Sequence, residues 1–122
     1  MLRTDRRPGP VRDVLVVTID RPERRNAIDL TTVRELRAVA GDTSVGAVVL
    51  TGAPPAFCAG ADLTGVDSVE FGGELSAMLE AWDRWTAVRI AAVDGPALGA
   101  GTQLALVCDL RVATAGSEFG IP

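Results

Sequence analysis

The sequence has no histidine among its 122 residues. That absence excludes Ser-His-Asp and Cys-His nucleophilic chemistry within this segment and argues against a zinc site. Cysteine is nearly as scarce: Cys58 and Cys108 are too few for a disulfide scaffold and fit a reducing compartment. No apolar run approaches the ~20 residues that a membrane span needs. The opening Met1-Leu2-Arg3-Thr4-Asp5 lacks the apolar stretch of a signal peptide, so a cytoplasmic location is expected. An excess of positive charge is missing too, and a net charge of −4 argues against wholesale nucleic-acid binding. The local cluster Arg21 to Arg25 reads as solvated surface or as a contact for a small anion. There is no GxGxxG fingerprint after the first strand and no GK[ST] phosphate loop, which counts against dinucleotide and nucleotide chemistry. Carboxylates, amides and backbone are left to do whatever is done here.

What is present is the material of one folded core. The chain is 48% hydrophobic and 23% charged, and its length fits a single domain. After a short first strand and a turn at Arg6 to Arg12, the β-branched run Val14 to Ile19 reads as a strand buried on both faces. A helix is expected from about Asp29, where Thr32 and Glu35 have capping-box spacing and Leu30, Val33, Leu36, Val39 and Ala40 form an apolar stripe. Ala47 to Thr51 is a second buried strand. A loop, Gly52 to Gly65, then leads to a helix over about Val69 to Thr86, with Leu75, Met78, Leu79, Trp82 and Trp85 at three- and four-residue steps. The tryptophans read as core. Ile90 to Val93 is a strand, Thr102 to Val107 a short apolar helix, and Leu110 to Ala113 a last strand. Strands alternating with helices imply an α/β fold with a mainly parallel sheet. The run Ser117 to Pro122 shows no closing helix or strand, so a truncated chain is expected.

Two glycine-bearing turns follow apolar strands: Ala59-Gly60-Ala61-Asp62 and Gly99-Ala100-Gly101. Small residues let backbone approach a ligand closely, and the N–H groups of a helix start point outward. Two such groups converging on one point would form an oxyanion hole, whose field is set before charge builds on a carbonyl oxygen. Taken as spacing alone, the same glycines are more often plain turns.

Longer runs around these turns are more specific. FCAGADL at 57–63, IAAVDGPALGAGTQLALVCDLRVA at 90–113 and RPERRNAI at 21–28 resemble the enoyl-CoA hydratase/isomerase, or crotonase, family. The likeness runs from about Val14 to the last residue. It implies a spiral of repeated β-β-α units, with residues 1–122 as the N-terminal part of a single core domain lacking its C-terminal helices. It also implies assembly as a trimer or hexamer, and acyl-CoA thioesters as partners in fatty-acid metabolism, coenzyme A being part of the substrate rather than a cofactor. Matched by position, the oxyanion donors are the N–H groups of Ala61 and Ala100. The groove for coenzyme A then runs along Ala59, Gly60, Ala61, Asp62, Leu63 and Thr64, with Arg24 or Arg25 near its phosphates.

One departure bears on the reaction. Hydratases of this family use two glutamates, and the first falls where this chain has Gln103. An amide exchanges no proton near neutral pH and serves as neither general acid nor base. Losing one such group typically costs about 10²–10⁴ in rate. The second glutamate would follow FGIP, beyond Pro122. The resemblance therefore implies a lyase or isomerase with doubtful hydratase activity, or a protein that binds or carries acyl-CoA without hydrating it. Cys58 reads as a small buried hydrophobe, Asp109 as a cap for backbone donors near a helix end, and Glu70, Glu74 and Glu80 as solvated.

Overall fold

The apolar runs of the sequence become neighbouring strands. A computed structural model of the chain describes residues 1–121. Strand β1 (Leu2–Arg7) pairs antiparallel with β2 (Asp13–Ile19), and β2, β3 (Val45–Gly52), β4 (Val88–Val93) and β6 (Leu110–Ala113) continue in parallel, in the order β1-β2-β3-β4-β6. Helices α1 (Leu30–Val39), α2 (Ser68–Arg84) and α3 (Ala100–Val107) lie in the crossovers between them. Two short strands, β5 (Pro96–Leu98) and β7 (Glu118–Gly120), form a second parallel pair.

That second pair is part of a longer stack. Parallel bridges join Ile28 to Ala61 and Cys58 to Ala97, so the row reads Ile28, Cys58–Ala61, β5, β7. Each crossover thus leaves a strand of the large sheet, touches the small row and, three times, returns through a helix. The chain makes three β-β-α turns and the two strands of a fourth, the repeat that a crotonase spiral requires. Neither β5 nor β7 was apparent in the sequence. Each is three residues long, too short to show a period.

Three expectations need correction. The N-cap of α1 is Asp29, whose carboxylate accepts the Thr32 N–H at 2.8 Å and its hydroxyl at 2.7 Å; Thr32 sits inside the first turn and caps nothing. Helix α3 starts two residues earlier than the apolar pattern suggests, because Ala100 and Gly101, read as part of the turn, form its first two helical positions. The strands are buried on one face only. Leu15, Val17, Ile19, Val48, Leu50, Ala91 and Val93 enter the core with Val33, Leu36, Phe71, Met78 and Trp82, whereas Val14, Val16, Val49 and Ile90 on the other face stay partly exposed. Trp82 and Trp85 are core, as expected. Their rings meet edge to face at 5.2 Å, and their indole N–H groups donate to Leu36 O and Asp42 O.

Candidate functional site

The small row brings the two glycine turns into contact. Cys58 donates to Pro96 O at 3.1 Å and accepts from Leu98 N–H at 3.0 Å, which sets the second coil of the spiral against the third. Counting on from the Cys58–Ala97 bridge, Gly60 falls opposite Gly99 and Ala61 opposite Ala100. Both glycines need a conformation that side chains disfavour: φ is 123° at Gly60 and 54° at Gly99. A Cβ built on Gly99 would come to 4.0 Å from Gly60 Cα. One at Gly101 would strike Cys58 O at 2.1 Å, so glycine there lets α3 start directly against the neighbouring coil.

Backbone direction follows from the pairing. Ile28 donates to Gly60 O and accepts from Asp62 N–H, both at 2.9 Å. In a parallel bridge of this pattern the intervening residue turns its own N–H away, so the Ala61 N–H faces the coil that carries Ala100. Ala100 is the first residue of α3, where a helix has no internal acceptor for its N–H. Among the described residues neither N–H is donated to a protein group. Such a pair at the positive end of a helix can accept an oxygen that gains negative charge.

The first turn is wired in place by side chains. Arg21 donates to Ala27 O at 2.5 Å and pairs with Asp62 at 3.1 Å, joining the Arg21–Ile28 loop to the Ala59–Thr64 segment. Hydrogen bonds from the side chain and backbone of Thr64, and then the Arg21 guanidinium, hold the Asp62 carboxyl down at about 2. Buried Asn26, at φ 60°, donates to Ala53 O at 2.6 Å and Ala56 O at 2.7 Å, and accepts the Arg21 N–H at 2.8 Å. Asn26 and Arg21 were not among the expected site residues. The only signal for them was the RPERRNAI run itself, read for its basic residues.

The other expected residues are spread around the two turns. Ala59 lies half-buried, its N–H bonded to Arg25 O at 3.1 Å. Leu63 is 45% exposed and Thr64 is exposed, as a groove wall would be. Arg24 ends a short 3₁₀ helix and Arg25 caps it; both side chains face solvent, and among the described residues neither forms an ion pair. Gln103 is exposed one helical turn beyond Ala100, on the same face.

The remaining candidates have structural roles. Cys58 is fully buried, and burial pushes its thiol up to about 11. Asp109 accepts the Arg89 N–H at 3.0 Å and pairs with the Arg89 guanidinium at 3.0 Å. Glu74 and Glu80 meet Arg34 and Arg84 on helix surfaces. Among the described residues no group of three or more acidic, cysteine or histidine side chains is placed to hold a metal ion. No described helix is long and apolar enough to cross a membrane.

Known proteins share the fold and much of the sequence. The family model described as enoyl-CoA hydratase/isomerase matches residues 11–122. A protein of Mycobacterium tuberculosis (strain CDC 1551 / Oshkosh) named as a probable enoyl-CoA hydratase is 44% identical over 113 residues, 89% of this chain and 46% of that protein. The 2,3-dehydroadipyl-CoA hydratase of Escherichia coli (strain K12) is 42% identical over 117 residues, 89% of this chain and 46% of the relative. The crystal structure of an enoyl-CoA hydratase from Bacillus anthracis superposes with a TM-score of 0.84 at 29% identity, covering 98% of this chain and 50% of that one. The chain therefore spans about half the length of the relatives it matches.

Proposed function

The chain belongs to the enoyl-CoA hydratase/isomerase family, and from that premise we propose that it recognises an acyl-CoA thioester through an oxyanion hole formed by the N–H groups of Ala61 and Ala100. The observation that carries this reading is the meeting of two positive-φ glycine turns that leave those two N–H groups undonated. The thioester carbonyl oxygen would accept from both, and more strongly as an enolate develops, because the donors are fixed before the charge appears. The segment Ala59–Thr64 forms the groove wall, and Arg24, with Arg25 beside it, supplies cationic charge for the phosphates of coenzyme A. The setting is fatty-acid metabolism in the cytoplasm, in a trimer or hexamer of the whole protein.

Gln103 favours a second element of the reading: binding of acyl-CoA with weak hydration. Its amide can orient a water or a substrate amide but cannot take up or release a proton. The decisive variant is Ala100→Pro, because proline suits the first helical position and removes little besides the N–H. Calorimetric titration with palmitoyl-CoA tests recognition. Binding that is lost or sharply weakened in Ala100→Pro supports the hole, and unchanged binding refutes it. Hydration of crotonyl-CoA tests the role of Gln103. A rate typical of family hydratases in the wild type would remove the non-hydrating reading. A rise of about 10²-fold or more in Gln103→Glu would identify the missing carboxylate as the limiting defect.

A further inference from the structure

Thr102 is 8% exposed, and its hydroxyl sits where three segments converge. It lies 2.7 Å from Ala97 O and 2.8 Å from Gly120 O, either of which its single proton can serve, and it accepts the Gly120 N–H at 3.2 Å. Gly120 O also receives the Gly99 N–H at 2.8 Å. So the residue that turns the chain into α3 and the residue that ends β7 are joined directly at Gly99 and again through Thr102. Threonine in a helix interior commonly turns its hydroxyl to the carbonyl one turn back. Here it reaches out of the helix, to the strand before it and to the next coil of the spiral.

We propose that Thr102 is a positioning residue: its buried hydroxyl ties the third and fourth coils together at the start of α3 and so fixes the direction of the Ala100 N–H. The inference rests on the oxyanion reading of Ala100 and extends it to a group that touches no substrate. Gly99 adopts φ 54° and ψ −118°, and glycine, with little intrinsic preference for one backbone geometry, has no side chain with which to cap the helix. The orientation of the next N–H must therefore be imposed from outside the turn. The clamp at Gly120 does this from one side, and the contact of Gly101 with Cys58 O does it from the other.

The test compares Thr102→Val, which keeps the shape and removes the hydroxyl, with Thr102→Ser, which keeps the hydroxyl. Acetoacetyl-CoA is the probe, since its enolate can be followed by near-ultraviolet absorbance while bound. At saturating probe, Thr102→Val is expected to lower the enolate fraction about tenfold, and Thr102→Ser to stay within about twofold of wild type, a misaimed donor being far less effective than an aligned one. An unchanged enolate fraction in Thr102→Val, whatever happens to its melting temperature, would overturn the proposal. Amide hydrogen exchange separates this from failure of the hole itself. If the wild type forms no enolate, the oxyanion reading falls, and the clamp is decided by exchange at Gly99 and Gly120. Exchange there at least tenfold faster in Thr102→Val, with Val17 and Leu50 unchanged, supports the clamp; wild-type exchange at both overturns it.

Discussion

The turn at Gly60-Ala61 and the turn at Gly99-Ala100 occupy matching places in successive coils of one spiral, yet they are held by different means. The second-coil turn is irregular, with an exposed Ala61, and besides the Ile28 backbone bonds it uses side chains from a distant loop: Arg21 reaches Asp62, the residue after Ala61, and Asn26 holds the approach to the turn at Ala53 and Ala56. The third-coil turn opens directly into α3, buries Ala100 to 7% exposure, and depends on backbone packed against backbone at Gly101 and Cys58. One donor is wired and the other is wedged. A wired turn is loosened most by removing hydrogen bonds, whereas a wedged turn is disturbed most by adding atoms, the Thr102 hydroxyl being its one side-chain tie to the next coil.

The largest effect should therefore come from one added methyl group. In Gly101→Ala the new Cβ meets Cys58 O at 2.1 Å, a contact that requires a backbone shift. The favourable helix propensity of alanine returns only about 1 kcal/mol. A net loss of about 3 kcal/mol in chemical denaturation is expected, near the upper end for overpacking. Asn26→Ala comes next. It leaves two buried carbonyls and the Arg21 N–H without their partner, for about 2–3 kcal/mol. Gly60→Ala should cost about 1–2 kcal/mol, because its φ of 123° is strained for alanine while its nearest contact, Leu98 O at 3.3 Å, is tight but needs a far smaller shift than the 2.1 Å clash at Gly101. If Gly60→Ala proves more damaging than Gly101→Ala, the distinction between wired and wedged turns is wrong.

These differences explain what could and could not be read from the residues. The strands of the large sheet and the helices α1 and α2 are legible because their apolar periods are long. So were the two glycine turns, through the runs that flank them. The spiral repeat is not legible as a sequence repeat: its small row contacts through Ile28, Cys58, Ala97 and Phe119, single residues with no shared pattern. Asn26 and Thr102 were missed for a related reason. Each works through hydrogen bonds to main-chain atoms 18 to 30 residues away, a partnership that leaves no mark on local spacing. The expectation of strands buried on both faces came from composition, which records what a residue can tolerate and not what covers it. Val14, Val16, Val49 and Ile90 are apolar and half-exposed all the same.

The smallest expected effect separates the turns by pH. The wired turn carries a titratable group, Asp62, whereas none of Gly99, Ala100, Gly101, Thr102 and Gln103 titrates. Thr64 and Arg21 hold Asp62 at about 2, below the ordinary 3.8. A lowered carboxylate contributes stability that is fully present above its unfolded value and is lost as pH falls through its folded value. The window for Asp62 is therefore between 3.8 and about 2. Asp42, held by Ser44 and Arg6, is the same in wild type and Asp62→Asn, whereas Asp29 shares the Arg21 guanidinium with Asp62, so the difference between the two proteins reports the Arg21–Asp62 pair together with that shared contact. The melting-temperature gap between wild type and Asp62→Asn should be constant near neutral pH and close as the pH is taken down through that window. Over the same range, amide exchange at Ala61, corrected for its intrinsic pH dependence, should quicken in the wild type while exchange at Ala100 does not. A gap that stays constant down to pH ~2, or equal responses at the two amides, would mean that Arg21 and Asp62 do not wire the turn and that backbone alone holds both donors.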